Sequence, residues 1–262
     1  MRLIRHNNGF VERDIDPKPS NRMTTSTYSH SLELGPAVAG TASAESRSGS
    51  QLAIKAGDLS RVIKRAIDVA GALSGLILLS LPMLVIVAII RLDSPGPVIF
   101  RQRRVGIGGR TFWFLKFRTM VADAEERLEE LESLNESTCG VLFKIRDDPR
   151  ITPLGRFLRR SSLDELPQLF NVLRGEMSLV GPRPLQLRDS DLLQRAQPEA
   201  FARRLSVLPG MSGAWQVGGR SETDCFGMLE FDLDYVANWS VAGDLLIICR
   251  TFSAVLRGRG AY

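Results

Sequence analysis

The sequence predicts a mainly helical α+β fold: a helix-break-helix hairpin embedded in a membrane, then a domain of amphipathic helices and a few short strands. Three observations predict it. Val69–Ile90 is a run of 22 residues without a charge, with Pro82 inside it and basic residues on both flanks. Beyond it, apolar residues recur at helical spacing in several stretches. Between these lie two short apolar and aromatic segments around a glycine-rich turn, the pattern of a small β-hairpin.

Taken in order, residues 1–58 read as a disordered tail. Met23–Gln51 is rich in Ser, Thr, Gly and Ala and shows no sustained period. The basic start, Arg2 and Arg5, leads into Asn7-Asn8-Gly9 and not into an apolar region, so it is not a secretory signal. Residues 59–92 form the predicted hairpin. At about 1.5 Å per residue the uncharged run would cover roughly 33 Å as a straight helix, enough for a bilayer core. Pro82 removes a backbone donor and clashes with the preceding turn, which breaks or kinks the helix there. Lys55, Arg61, Lys64 and Arg65 precede the run, and Arg91, Arg101, Arg103 and Arg104 follow it. Basic flanks stay in the cytoplasm, and a hairpin that enters and leaves by one face satisfies both. Ser74, Ser80 and the carbonyls freed near Pro82 would satisfy each other at the turn. A single tilted, Pro-kinked span is the alternative.

Residues 93–262 read as a cytoplasmic domain. Asp93-Ser94-Pro95-Gly96-Pro97 is a loop by its Pro and Gly content. Val98–Phe100 and Thr111–Phe117 are expected as strands flanking Gly106–Gly109. Val121–Ser133 is expected as a charged helix with Ala124, Leu128 and Leu131 on one side. Ile151–Leu173 reads as one or two helices and Leu185–Leu208 as another helical stretch. Val241–Leu256 is a strongly apolar helix that either lies on the membrane surface or closes the core. No internal repeat is visible.

Composition excludes several chemistries. Of 262 residues with a net charge of +5, two are histidine, His6 and His30, both inside the predicted tail. A Ser-His-Asp triad, a Cys-His pair or a His-ligated zinc site is therefore not expected. Carboxylates, hydroxyls, thiols, a few lysines, arginines and a hard metal are left to do the chemistry. Cys139, Cys225 and Cys249 are widely spaced, with no CxxC pair, and read as reduced thiols. Among 34 basic side chains only Lys18, Lys55, Lys64, Lys116 and Lys144 are lysine. The arginine excess reflects either codon composition or the suitability of guanidinium forks for phosphate.

Four clusters stand out. Asp164-Glu165 in SSLDELPQL are neighbours about 100° apart on a helix, so they cannot share a proton as a facing dyad. One can attack while the other holds a cation. Arg159 and Arg160 lie one turn earlier and favour ionised carboxylates. A solvated acidic pair bridged to arginine has the same spacing. Lys116-Phe117-Arg118 sets two cations around a phenylalanine. Gly181-Pro182-Arg183-Pro184 pins a backbone around one arginine at low entropic cost. Pro209–Arg220 carries enough glycine to bring backbone amides up to a phosphate. Together they suggest an anionic, phosphate-bearing ligand.

From Lys64 to the C-terminus the chain resembles the bacterial sugar transferases, the monotopic polyprenyl-phosphate hexose-1-phosphate transferases of exopolysaccharide assembly. The resemblance is carried by KRAIDVAG, LDSPGPVIFRQRRVG, FWFLKFRTM, DPRITPLGRFLRRSSLDELPQLFNVLRGEMSLVGPRP, LPGMSGAWQV and FDLDYVANWS followed by DLLIICRT, in family order. The GRGAY ending is similar to the succinoglycan-type branch. The resemblance implies transfer of a sugar-1-phosphate from a UDP-sugar to undecaprenyl phosphate with release of UMP. It implies Asp164 as the nucleophile that forms a covalent phosphosugar intermediate, and Glu165 as its partner that helps bind Mg²⁺. Lys116, Arg118, Arg159, Arg183, Arg220 and Asp232 are implied as substrate-binding positions. It also implies a re-entrant hairpin in the bacterial inner membrane, with the active site on its cytoplasmic face. Membrane lipid is then a partner, nucleic acid is not, and a second copy of the chain remains a candidate. One departure is that many members place Ser directly before the helix-breaking Pro, whereas here Leu81 precedes Pro82 and Ser80 stands one residue further back.

The rival expectation is a non-enzymatic, basic, membrane-associated protein binding anionic lipid or nucleic acid through its arginines. The ordered DELPQL and GPRP segments and the lack of aromatic stacking runs speak against it.

Overall fold

The computed structural model describes residues 45–128, 130–131, 135–136, 145, 147–219 and 225–256, and of 45–57 and 256 the backbone alone. Residues 1–44, Cys139, Lys144 and Arg220 therefore lie outside the described residues. The described chain is mostly helical, with two small two-stranded sheets, an α+β fold.

Helix α1 spans Glu45–Leu78, beginning inside the stretch read as tail, and α2 spans Ser80–Asp93. No single helix among the described residues is long and apolar enough to cross a membrane. Asp58–Leu78 and Ser80–Asp93 pass that test together, bent by 61°. The bend falls at Leu79, three residues before Pro82. The proline ring collides with the carbonyl four residues back, that of Leu78, and has no N–H to bond it. Pro82 thereby sits at the third position of α2, where an N–H would lack an intrahelical acceptor. Ser80 Oγ donates to Ile77 O at 2.8 Å, so a serine one residue further back still serves the break.

The bent helix pair does not stand apart from the rest of the fold. Ala72 of α1 packs with Phe112, Phe114, Leu169, Val172 and Met177, and Ile86 and Ile90 of α2 pack with Val98, Phe117 and Leu158. Polar ties reinforce both halves. Lys64 Nζ donates to Val180 O and Asp244, Arg65 to Val172 O and Leu173 O, and Asp68 accepts from Ser178 Oγ and Leu179 N. Lys64 and Arg65, read as flanking charges, are thus committed to the protein. At the other end Arg118 donates to Pro97 O (2.8 Å), Ser94 O (2.6 Å), Ser94 Oγ (2.9 Å) and Ile90 O (3.4 Å), closing the C-terminus of α2.

The second expected strand forms over its expected residues, whereas the first begins at Ile99 and runs five residues past Phe100. β1 (Ile99–Val105) and β2 (Thr111–Phe117) are antiparallel, with Phe100 opposite Lys116, Gln102 opposite Phe114 and Arg104 opposite Phe112. The charged helix expected over Val121–Ser133 is absent from its described part, which holds turns and a 3₁₀ turn at Glu126–Leu128. Arg150 Nη1 takes the Ala124 carbonyl at 3.0 Å, the acceptor an α-helix would offer to Leu128 N–H. Ile151–Leu173 divides into α3 (Pro153–Arg160), a 3₁₀ turn at Leu163–Glu165, and α4 (Gln168–Arg174). Leu185–Leu208 likewise divides, into α5 (Leu187–Ala196) and α6 (Pro198–Arg204), because Pro198 starts a new helix.

Four elements have no counterpart in the sequence reading. β3 (Ser178–Val180) and β4 (Gly210–Ser212) pair in parallel, and α7 (Ala214–Gly218) and α8 (Cys225–Ala237) follow. α9 (Val241–Leu256) carries Ile247 into a core cluster with Val180 and Tyr235, yet exposes Leu245, Leu246 and Phe252. It therefore closes the core with one face and leaves an apolar face uncovered.

Candidate active site

The floor of the site is one face of the β1–β2 hairpin. Side chains alternate along a strand, so this register puts Phe100, Gln102, Arg104, Phe112, Phe114 and Lys116 on the same side. Phe112 and Phe114 turn into the core. Lys116 Nζ lies 5.0 Å from the Phe100 ring, and Arg104 stacks on Phe114 at 3.9 Å.

The carboxylates reach this floor through a tight corner. Thr152 caps α3 by accepting from Gly155 N at 2.9 Å. Gly155 lets α3 press against the backbone of Thr119, where a Cβ would sit 1.9 Å from the Thr119 carbonyl oxygen. α3 ends at Arg160, and Ser162 then takes the left-handed conformation at φ 56°, rare without glycine. The chain thereby turns before Leu163–Glu165 and drops Asp164 into a buried position, 7 % exposed. Fully buried Asn171 ties α4 to the free edge of β2, donating to Trp113 O and accepting from Leu115 N. This contact sets the corner beside Lys116.

Asp164 is surrounded by charge. Burial, then the neighbouring Glu165, raise its pKa to about 6, against the pull of Lys116, Arg159 and Arg183. Burial, then Arg159 and Arg104, lower Lys116 to about 7. Burial also lowers Arg159, whose Nε donates to Thr119 Oγ1 at 3.0 Å. Arg183 is the opposite case. Glu165 raises its pKa, and its Nη2 bonds Glu165 Oε1 at 2.9 Å. Two acids therefore face four cations, Lys116, Arg104, Arg159 and Arg183, and the surplus positive charge suits an anionic ligand.

The structure brings five of the sequence candidates together: Asp164, Glu165, Lys116, Arg159 and Arg183. Arg118 is put to another use, its guanidinium holding the end of α2. Asp232 of α8, 1 % exposed, is paired with Arg204 Nε at 2.7 Å and has its pKa raised by burial despite that partner. Two glycines of Pro209–Arg220, the stretch expected to admit phosphate, serve close backbone packing. A Cβ on Gly210 would lie 2.1 Å from Gly181 N, and one on Gly213 2.3 Å from Gly181 O.

Sequence reasoning missed Arg104 and Gln102. Counting in twos back from Lys116 across the turn at Gly106–Gly109 finds both. It also missed a use for arginine. Arg65, Arg104, Arg118, Arg150 and Arg204 all donate to backbone carbonyls.

No group of three or more His, Cys, Asp or Glu able to hold a metal occurs among the described residues. Among the described residues no cation site built from protein ligands alone is provided. Glu165 retains Oε2 beside its bond to Arg183, which fits a hard divalent ion that takes one or two carboxylates and completes its shell with substrate phosphate and water.

Comparison with known proteins gives a consistent picture. Residues 59–258 match the family model described as bacterial sugar transferase. The chain is 41% identical over 202 residues to the exopolysaccharide production protein ExoY of Rhizobium meliloti (strain 1021), covering 76% of this chain and 88% of ExoY. It is 44% identical over 201 residues to the galactosyl transferase CpsE of Streptococcus agalactiae serotype III (strain NEM316), covering 76% of this chain but 43% of CpsE. With the UDP-glucose:undecaprenyl-phosphate glucose-1-phosphate transferase of Escherichia coli (strain K12) it shares 39% identity over 209 residues, 78% of this chain and 42% of that protein. The chain thus spans less than half the length of several curated relatives it matches.

Proposed function

Because the chain belongs to the bacterial sugar transferase family, we propose that it transfers a hexose-1-phosphate from a UDP-sugar to undecaprenyl phosphate, releasing UMP, as the first step of exopolysaccharide assembly. The observation that carries this reading is the buried Asp164, set among Lys116, Arg159 and Arg183 with Glu165 beside it. A carboxylate so placed can attack the phosphorus bearing the sugar. The bond from that phosphorus to the UMP oxygen breaks, and UMP leaves with the electron pair. The phosphosugar stays on Asp164 as an acyl phosphate. A phosphate oxygen of undecaprenyl phosphate then attacks the same phosphorus, and the Asp164 carboxylate leaves intact. Lys116, Arg159 and Arg183 hold the charge of the phosphates through both steps. Glu165 would hold Mg²⁺, which when bound offsets phosphate charge that would otherwise repel Asp164.

Residues 59–92 are proposed as a re-entrant hairpin at the inner membrane, and 93–262 as the catalytic domain on its cytoplasmic face. Support comes from where the hairpin is held. Lys64, Arg65 and Asp68 bind β3 and α4, and Arg118 binds the end of α2. Both ends therefore join one domain, which a full span would separate. Ile77, Leu78, Leu81 and Leu84 at the bend are exposed, as are Phe157 and Phe170 beside the site. A lipid phosphate held at that level could meet Asp164. The rival reading as a non-enzymatic anionic-lipid or nucleic-acid binder has less to rest on, because five arginines are bonded to carbonyls and not arrayed on the surface.

The test is UMP release in the absence of acceptor lipid. Wild-type enzyme with its UDP-sugar should release about one UMP per active site and stop until undecaprenyl phosphate is added. Asp164→Asn should give no burst and still sediment with membranes. Release by Asp164→Asn at the wild-type rate would overturn the nucleophile assignment. A panel of UDP-sugars in the same assay identifies the hexose.

A further inference from the structure

Arg183 stands between two prolines, and neither can donate a backbone N–H. The carbonyls of Arg183 and Pro184 are acceptors that still need donors of their own. Two buried guanidiniums supply them from different parts of the fold. Arg204 of α6 donates to the Arg183 carbonyl, and its Nε is anchored on Asp232 Oδ2 at 2.7 Å. Arg104 of β1 donates Nη1 to the Pro184 carbonyl at 2.8 Å. Gln102 Oε1 anchors it through Nε at 3.3 Å and Nη2 at 3.2 Å, and Phe114 lies under it. Arg104 is 7 % exposed, Arg204 3 % and Asp232 1 %.

The geometry has one evident effect. The proline ring fixes φ at 184, and a residue before proline is confined to extended conformations. Holding the carbonyls of 183 and 184 fixes the remaining torsions. The direction in which the Arg183 side chain leaves the backbone is then set from both sides. Burying two more guanidiniums is costly, and one of them, Arg104, is repelled by Arg183 itself. Packing alone would be met more cheaply by apolar residues.

We propose that Arg104 and the Arg204–Asp232 pair are positioning residues that aim the Arg183 guanidinium at a phosphate-bearing ligand by gripping the carbonyls of Arg183 and Pro184. This deepens the proposed function and rests on it. It gives Asp232 an indirect role in place of substrate contact.

The test is a double-mutant cycle on kcat/KM for the UDP-sugar. Arg104→Lys keeps the charge but loses the fork, and Asp232→Asn keeps the shape but loses the charge. Each alone should lower kcat/KM about tenfold or more. In an Arg183→Ala background, with no guanidinium left to aim, either change should cost less than about twofold further. The same factor in both backgrounds would overturn the proposal, because general destabilisation or direct substrate contact does not depend on Arg183. Arg104→Lys carries the test even if Asp232→Asn fails to fold. Affinity for inorganic pyrophosphate, measured on the same variants, separates the two readings. If wild type binds pyrophosphate but turns over no UDP-sugar, the function is wrong and the cycle in affinity still decides the grip. If wild type does neither, both readings fall.

Discussion

At the residue scale, the proposed mechanism makes the pH dependence turn on two groups with opposed needs. Asp164 must be ionised to attack, and burial beside Glu165 holds its pKa up at about 6. Lys116 must be charged to hold phosphate, and burial among arginines brings it down to about 7. The profile of kcat/KM should therefore rise as pH passes 6 and fall above 7, since that ratio reports the free enzyme. Lys116→Arg should remove the alkaline fall, because a guanidinium stays charged; a fall unchanged in that variant would clear Lys116 of it. The same raised carboxyl makes a stability prediction. A carboxyl with its folded pKa above the ordinary 3.8 favours the folded state only while protonated, so its ionised form opposes folding at neutral pH. Asp164→Asn should then stabilise the protein by about 1–3 kcal/mol near pH 8. The gain should shrink as pH falls through about 6 and vanish below the ordinary value. Thermal melts across pH read it, and a gain equal at pH 4 and pH 8 would contradict it. Asp164, Glu165 and Arg183 were legible as residues because they stand in rigid local motifs. Arg104 was not, because its importance comes from a cross-strand register that a run of basic residues conceals.

At the element scale, the corner before Asp164 depends on how closely α3 lies on Thr119. Gly155→Ala would drive a methyl to 1.9 Å from the Thr119 oxygen, so α3 must retreat and take Arg159 with it. We expect a loss of about 2–4 kcal/mol in stability and a fall in transfer larger than the melting shift explains. Unchanged melting in Gly155→Ala would show that α3 is looser than its packing implies. The strands around Gly106–Gly109 were legible from their apolar and aromatic runs and the glycine-rich turn, whereas Ile151–Leu173 was legible as helical without its break. β3 and β4 were not. Each is three residues long, their pairing joins positions 178–180 to 210–212, and no local period marks so short a parallel ladder. The charged segment after Val121 failed as a helix for a reason equally remote in sequence, the reach of Arg150 to the Ala124 carbonyl.

At the scale of the whole molecule, the prediction concerns sides. Leu59 and Leu92 are exposed near the two ends of the bent pair, 61 % and 87 % respectively. Cysteines placed singly at these positions, with the three native cysteines replaced, should both react with an impermeant reagent from the cytoplasmic face. Reaction from opposite faces would overturn the re-entrant arrangement. Hydropathy made the apolar run legible but not its attachment. The groups that fix its course, Ser178, Val180 and Asp244, lie more than a hundred residues downstream. Those ties also impose an order in time. Lys64 and Asp68 meet partners 110 to 180 positions later in the chain. While the ribosome is still making those partners, the two charges stand one helical turn apart with water and each other for company. α1 therefore cannot be seated on its partners when the apolar run leaves the ribosome; that seating waits for β3 and α9 to be made.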